Sequence, residues 1–319
     1  MLARFQQVST LILIAVAVGW ASYALGIDRP GLAALGALVI PGFFAVILGI
    51  EFALMQRANR LDPYPAATSG EVLAAWFAES WCAPVVFCWR QPFRSTKIAD
   101  RSASSSTRRG LVLAHGFFCN RGLWNAWYPR LLESDIPFIG INFEPVFGDI
   151  DAYAAQLEAA VSALEESTGM PPVIVAHSMG GLAVRAWLRR AGPSAMGRVH
   201  HIVTLGTPHR GTALVRFGFS ANTRQMTTSG SWLGALLRAE ATTVAARLTC
   251  IFSNCDNIVF PTSAAVLPNA RSIHLAACAH VQMVDHPQVF AEVMRWLVEE
   301  DPGSAVPLAR QHTVLDRET

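Results

Sequence analysis

One stretch limits the fold more than any other: Val173-Ile174-Val175-Ala176-His177-Ser178-Met179-Gly180-Gly181. A run of β-branched and small apolar residues stops at a serine. A helical pattern then starts at once (Leu182, Val184, Trp187, Leu188) and closes at Gly192-Pro193. The spacing predicts a buried strand, a sharp turn and a helix, with Ser178 at the apex. A hydroxyl there is exposed, and the amide after it lies at the positive end of a helix dipole. The pattern is G-x-S-x-G with Ala176 in the first position, where a small side chain is needed because strand and helix backbones pass close together. The plain alternative is a helix N-cap serine beside a buried strand.

Two distant segments weigh against that alternative. Leu111-Val112-Leu113-Ala114-His115-Gly116-Phe117-Phe118 reads as a second buried strand ending in His-Gly, and Asp256 and His280 each follow a strand-like segment. Their chain order is Ser, Asp, His. At these residues the sequence resembles the α/β-hydrolase superfamily and, within it, bacterial triacylglycerol lipases and esterases, which carry the same A-H-S-M-G-G form. Thr204-Leu205-Gly206-Thr207-Pro208-His209-Arg210-Gly211 is similar to the T-x-G-T-P-H-x-G stretch of that group, and Asp256 to Pro261 to its D-x-x-V-x-P turn. The resemblance covers about residues 110 to 300. It implies a mainly parallel sheet covered by helices on both faces, and a triad of Ser178, Asp256 and His280. It also implies an oxyanion hole from the amides of Phe117 and Met179. Alternating strand and helix patterns independently predict the parallel sheet.

His274, Asp285 and His286 are the rivals for acid and base. His274 lies within a strand pattern and His286 at a helix start, so neither has the apex placement of His280. Asp149 and Asp151 fall at a helix N-terminus, where capping accounts for them. His115 is expected to support its loop by hydrogen bonding. His177 is expected to point away from the Ser178 hydroxyl. Loop hydrogen bonding is the role expected for Asn120-Arg121 and for Asn222 to Met226. The chemistry needs no cofactor, and neither a phosphate loop nor a zinc-binding pattern is present in the sequence.

Only 15 % of the 319 residues are charged and 52 % are hydrophobic, against a usual charged share of about 25 %. That deficit points to a membrane. Residues 8–27 and 31–50 carry no charge, and each run has the ~20 residues that cross a bilayer core. Asp28-Arg29-Pro30 between them is a tight polar turn, so the pair reads as a transmembrane hairpin, with a cleaved signal peptide as the rival for the first run. Arg4, Arg57 and Arg60 flank the hairpin on its outer side. The positive-inside rule places them, and the chain that follows, in the cytoplasm at a bacterial inner membrane. Residues 71–89, with Trp76, Trp81 and Trp89, read either as a helix lying at the headgroups or as one packed on the catalytic domain; Glu71 and Glu79 break the run below spanning length.

The expected organisation is therefore a membrane region over 1–55, a juxtamembrane segment and linker over 56–109, a catalytic domain over 110–300 and a polar tail over 301–319. A cap or lid insert is expected near 209–246. Net charge is +2 with scattered Arg residues, which argues against a nucleic-acid partner. Six cysteines without C-x-x-C spacing read as reduced thiols, a Cys250–Cys255 bridge being the exception that an oxidising compartment would permit. The expected function is that of a membrane-anchored serine hydrolase cleaving lipid acyl esters. An acyltransferase or thioesterase of the same fold, or a non-catalytic membrane-anchored interaction module, are the alternatives. Oligomeric state is not legible.

Overall fold

The computed structural model describes residues 1–102, 108–239 and 242–298. The tail expected over 301–319, and the middle of the expected linker, lie outside the described residues. Six parallel strands form the centre: β1 (Leu111–Ala114), β2 (Phe138–Gly140), β3 (Val173–His177), β4 (His201–Leu205), β5 (Leu248–Ser253) and β6 (Arg271–Leu275), in the spatial order β2-β1-β3-β4-β5-β6. The order reverses at β1 and β3, and such a switch point opens a crevice at the carboxyl ends of the strands.

Alternate strand residues face opposite layers. Leu111, Leu113, Val173, Val175, Val203 and Ile251 pack with Trp124, Trp127, Phe290 and Val293 on one face. Val112, Ala114, Ile174, Ala176, Ile202 and Cys250 pack with Tyr153, Leu157 and Trp187 on the other. Both faces are buried, which is why these strands read as continuous apolar runs. Helices α5 (Tyr128–Glu133), α6 (Ala154–Thr168), α7 (Met179–Ala191) and α11 (Pro287–Val298) cover them. Between β4 and β5 the expected insert holds three short helices, α8 (Ala221–Gln225), α9 (Ser231–Ala239) and α10 (Thr242–Ala246). Leu233 and Leu236 of this insert are buried in the same core as Trp187. All six cysteines are free thiols.

The N-terminal part comprises α1 (Leu2–Gly26), α2 (Pro30–Gly36), α3 (Val39–Ala58) and α4, continuous from Ser69 to Arg94. The chain turns at Asp28-Arg29 as expected, and α2 packs back on α1, with Trp20 Nε1 donating to the Leu32 carbonyl at 2.8 Å. The stretch expected as one helix over 31–50 is instead two, α2 and α3, parted at Ala37-Leu38. Gly36, the last residue of α2, passes close to α1: a Cβ there would lie 2.6 Å from the Ala17 carbonyl oxygen. By length and composition α1 and α4 each suffice to cross a membrane.

The two acidic residues of α4 have specific uses. Glu71 forms a capping box with Thr68 at the helix start, and Glu79 is buried against the sheet's far loops. α4 therefore lies on the core, turning its apolar Leu73, Phe77 and Trp81 outward; Trp81 is 77 % exposed. Pro84, which lacks an N–H, is followed by a wider π turn over Val85–Arg90. α3 and α4 dock on the loops after β5 and β6, where Leu48, Phe52, Met55 and Ala75 enclose Cys255, Phe260 and Ala279.

Candidate active site

Ser178 sits where β3 meets α7, with φ 56° and ψ −128°. A non-glycine residue in that region is strained, and the strain is offset by the flanking strand and helix. The Ser178 N–H donates to the Leu205 carbonyl at 2.8 Å, and its own carbonyl accepts from Thr207 Oγ1 at 2.9 Å. The turn is thus held by the β4 end on both sides. Met179 is the first residue of α7, so its amide is among the helix-start donors that no helical carbonyl reaches.

The loop after β1 arrives beside this turn. A Cβ on Gly116 would lie 2.7 Å from Ser178 Cβ, so no side chain fits there. His115 Nε2 accepts the Phe143 N–H at 3.0 Å, which puts its proton on Nδ1, 2.8 Å from the Gly116 carbonyl it donates to. The carbonyl edge of the 116–117 peptide is anchored on His115. The Phe117 N–H, on the opposite edge of that plane, is turned away from it. Burial, partly offset by the hydrogen bond to Gly116, pushes His115 down to about 4, so it stays neutral in this role. Phe118 follows at φ 55°, a costly angle for an aromatic residue.

Asp256 and His280 come from the loops after β5 and β6, and His280 Nδ1 lies 2.9 Å from the Asp256 carboxylate. Asp256 Oδ1 also accepts the N–H groups of Ile258 and Val259, at 2.9 and 2.8 Å, so the carboxylate is fixed by its own turn. Burial alone would lower the His280 pKa. The charge and hydrogen bond of Asp256, with Glu79 and Glu51 adding to them, outweigh it and leave the value raised. With Nδ1 engaged by Asp256, Nε2 is the nitrogen left to take a proton. Ser178, Asp256 and His280 are 6, 2 and 4 % exposed, so chemistry here would be screened from bulk water.

No protein-family model and no curated protein sequence matches the chain. Solved structures do. The mature form of the lipase BlEst2 of Bacillus licheniformis matches with a TM-score of 0.53 at 16 % identity, over 61 % of this chain and 94 % of that one. Lipase B of Aspergillus fumigatus matches with a TM-score of 0.54 at 16 % identity, over 63 % of this chain and 56 % of that one. The fold is that of the α/β-hydrolases.

Within this fold the rival residues are engaged elsewhere. His274 Nε2 accepts the Asn254 N–H at 3.2 Å, and Asp285 pairs with Arg90 at 2.6 Å. Asp149 caps the turn at Ile150–Tyr153 and accepts from Gln225, while Asp151 pairs with Arg189. His286 opens α11. Asn120 and Arg121 hold loop backbone: Asn120 bonds Gln91, and Arg121 reaches the carbonyls of Gly140, Ser95 and Ile98. Asn222 donates to the Val146 carbonyl.

Several residues beside the site had no assigned role in the sequence. Thr207 braces the Ser178 turn, and Thr204, His209 and Arg185 form a buried network beneath it. His177, expected to point away from the hydroxyl, donates from Nε2 to the His280 carbonyl at 3.1 Å. Gly206 backs the Asp256–His280 pair: at φ 51°, a Cβ there would lie 2.7 Å from Asp256 Oδ2 and 3.0 Å from His280 Nδ1. Only its place in the T-x-G-T-P-H stretch marked it.

Gly206→Ala is accordingly expected to cut turnover by roughly 100-fold, the scale of a 1 Å misplacement of reacting groups. A left-handed non-glycine costs a further ~1–2 kcal/mol of stability. Steady-state kinetics with a denaturant melt checks both, and wild-type turnover would show that the pair tolerates displacement.

Proposed function

We propose that this chain is a membrane-anchored serine hydrolase that cleaves lipid acyl esters through an acyl-enzyme. Ser178 is the nucleophile, His280 the base, Asp256 its orienting acid, and the amides of Phe117 and Met179 the oxyanion donors. The observation that carries this reading is the buried Asp256–His280 pair, 2.9 Å apart, across the Gly206 backbone from a strained serine elbow. His280 Nε2 takes the Ser178 proton as Oγ attacks the ester carbonyl. The same proton then goes to the leaving alkoxide, and water repeats the sequence to release the acid. The solved structures the fold resembles include lipases, which favours an ester over other acyl substrates.

An apolar acyl chain suits the surroundings. Phe117, Phe118 and Phe147 cluster at the oxyanion loop, Phe147 stacked on Phe118 and tilted against Phe117, and Phe5 of α1 meets Phe118 edge-on at 5.9 Å. For the membrane, support comes from apolar residues of α1 that stay more than half exposed, among them Leu11, Ile12, Val16 and Val18. The first turns of α1 meet α4 and the loop after β1, and the chain just past α3 meets the loop after β5. Gln7 donates to the Pro92 carbonyl at 2.6 Å, and Asn59 accepts the Thr262 N–H at 3.0 Å. A hairpin reaching into the bilayer from a cytoplasmic core fits these contacts and the flanking Arg4, Arg57 and Arg60.

Full-length protein in vesicles is expected to hydrolyse p-nitrophenyl esters faster as the acyl chain lengthens. A preference confined to acetate and butyrate would remove lipid from the reading. In intact spheroplasts the core is expected to resist added protease, and its cleavage without lysis would overturn the cytoplasmic orientation.

A further inference from the structure

The loop that carries His280 is held from outside the hydrolase core. Glu79 of α4, 1 % exposed, accepts the backbone N–H of Val281 at 2.8 Å on one oxygen and that of Gln282 at 2.9 Å on the other. Glu51 of α3 accepts from Asn257 Nδ2 at 2.7 Å, and Asn257 Oδ1 accepts the His280 N–H at 3.2 Å. His177 holds the His280 carbonyl from a third side. The N–H and carbonyl of His280 and the N–H groups of Val281 and Gln282 are thus tied, and three of these four bonds lead, directly or through Asn257, to carboxylates of the N-terminal helices.

We propose that Glu79 is a positioning residue for the base, which makes α4 a working part of the active site as well as a helix at its edge. The proposal rests on the reading of His280 as that base. A bidentate carboxylate on consecutive amides fixes the backbone just past His280, and so fixes the direction in which its imidazole leaves the chain. The same negative charge favours the imidazolium that forms when Nε2 takes the serine proton. Around His280 the ionisable groups are Asp256, Glu51, Glu79 and His177, the last held neutral by burial. Around Glu79 they are His280, Asp256 and the thiols of Cys82 and Cys278, which burial keeps protonated. Burial lifts the Glu79 carboxyl to about 7 against the pull of its two amide bonds, so its charged form opposes folding at neutral pH.

The test uses the full-length protein in detergent or vesicles. Glu79→Gln keeps the size, loses the charge and replaces one acceptor oxygen with a donor. It is expected to lower kcat by roughly 100-fold with KM little changed, and to move the acidic limb of the kcat/KM profile to lower pH. Arg90→Gln is the comparison, since it cuts another tie of α4 to the core, the Arg90–Asp285 pair, without touching the His280 backbone. Its limb is expected to stay in place, and an equal shift in both variants would reduce Glu79 to a packing contact. If Gln at 79 unfolds the chain, Glu79→Asp keeps the charge and shortens the reach; a lowered kcat with the limb unmoved supports the proposal, and wild-type kcat overturns it. His280→Ala separates the two levels. Activity retained there removes His280 as the base, whereas an inactive His280→Ala beside a wild-type Glu79→Gln removes only the proposal.

Discussion

Replacing Ser178 by Ala is expected to abolish ester hydrolysis and fluorophosphonate labelling while the chain still folds. In a well-characterised serine hydrolase of another fold, loss of the nucleophile lowers turnover by about a million-fold. The same scale applies here because Oγ is the only atom removed. The turn itself is held by backbone, through the Ser178 N–H on Leu205 and the Thr207 hydroxyl on the Ser178 carbonyl, and both bonds survive the change. Near-ultraviolet circular dichroism should match the wild type. Labelling retained in the variant would take Ser178 out of the mechanism.

Asp256→Asn is expected to cost roughly ten-thousand-fold in turnover with the loops left in place. An asparagine keeps an oxygen for the Ile258 and Val259 amides, so the turn persists. Its amide nitrogen then faces His280 Nδ1 and donates to it. The imidazole proton is forced to Nε2, the position that must be empty to receive the serine proton. The pH profile gives a second reading. As the proposed base, His280 works only when unprotonated, and Asp256 raises its pKa, so activity is expected to fall as pH drops through that raised value. In Asp256→Asn the residual activity should persist to lower pH. If Asp285→Asn produced the loss instead, the acid would be misassigned. Its partner is Arg90, so that variant should change stability rather than turnover.

What the sequence made legible follows from how far its signals reach. The sheet was legible because strands buried on both faces leave uninterrupted β-branched runs, as in Val173 to Ala176 and Leu111 to Ala114. The elbow was legible because a strand, a small-residue turn and a helix lie within 20 residues of one another. Asp256 and His280 could be picked by chain order and loop placement, and the structure brings them together. The docking of α3 was not legible, and for α4 it was one of two readings left open. An apolar helix that enters a bilayer and one that lies on a core carry the same periodicity, and Glu79 reads in one dimension as a break in an apolar run. Its use depends on contacts 202 residues away in the chain. The parting of α2 from α3 had no punctuation at Ala37-Leu38 either.

The position of α3 and α4 bears on how preparations of this protein should be judged. Glu51, Asn59, Asp62 and Glu79 all grip the loops beyond β5 and β6, yet the apolar cluster beneath them is small beside the two that sandwich the sheet. Elements with the fewest buried contacts open first, at a free energy below that of global unfolding. Heat or a harsh detergent would loosen those two helices while the sheet keeps its ellipticity. A sample that melts well is therefore not by that measure an active one. Fluorophosphonate titration of Ser178, the proposed nucleophile, run beside the melt on the same aliquot, is the quality standard this architecture calls for.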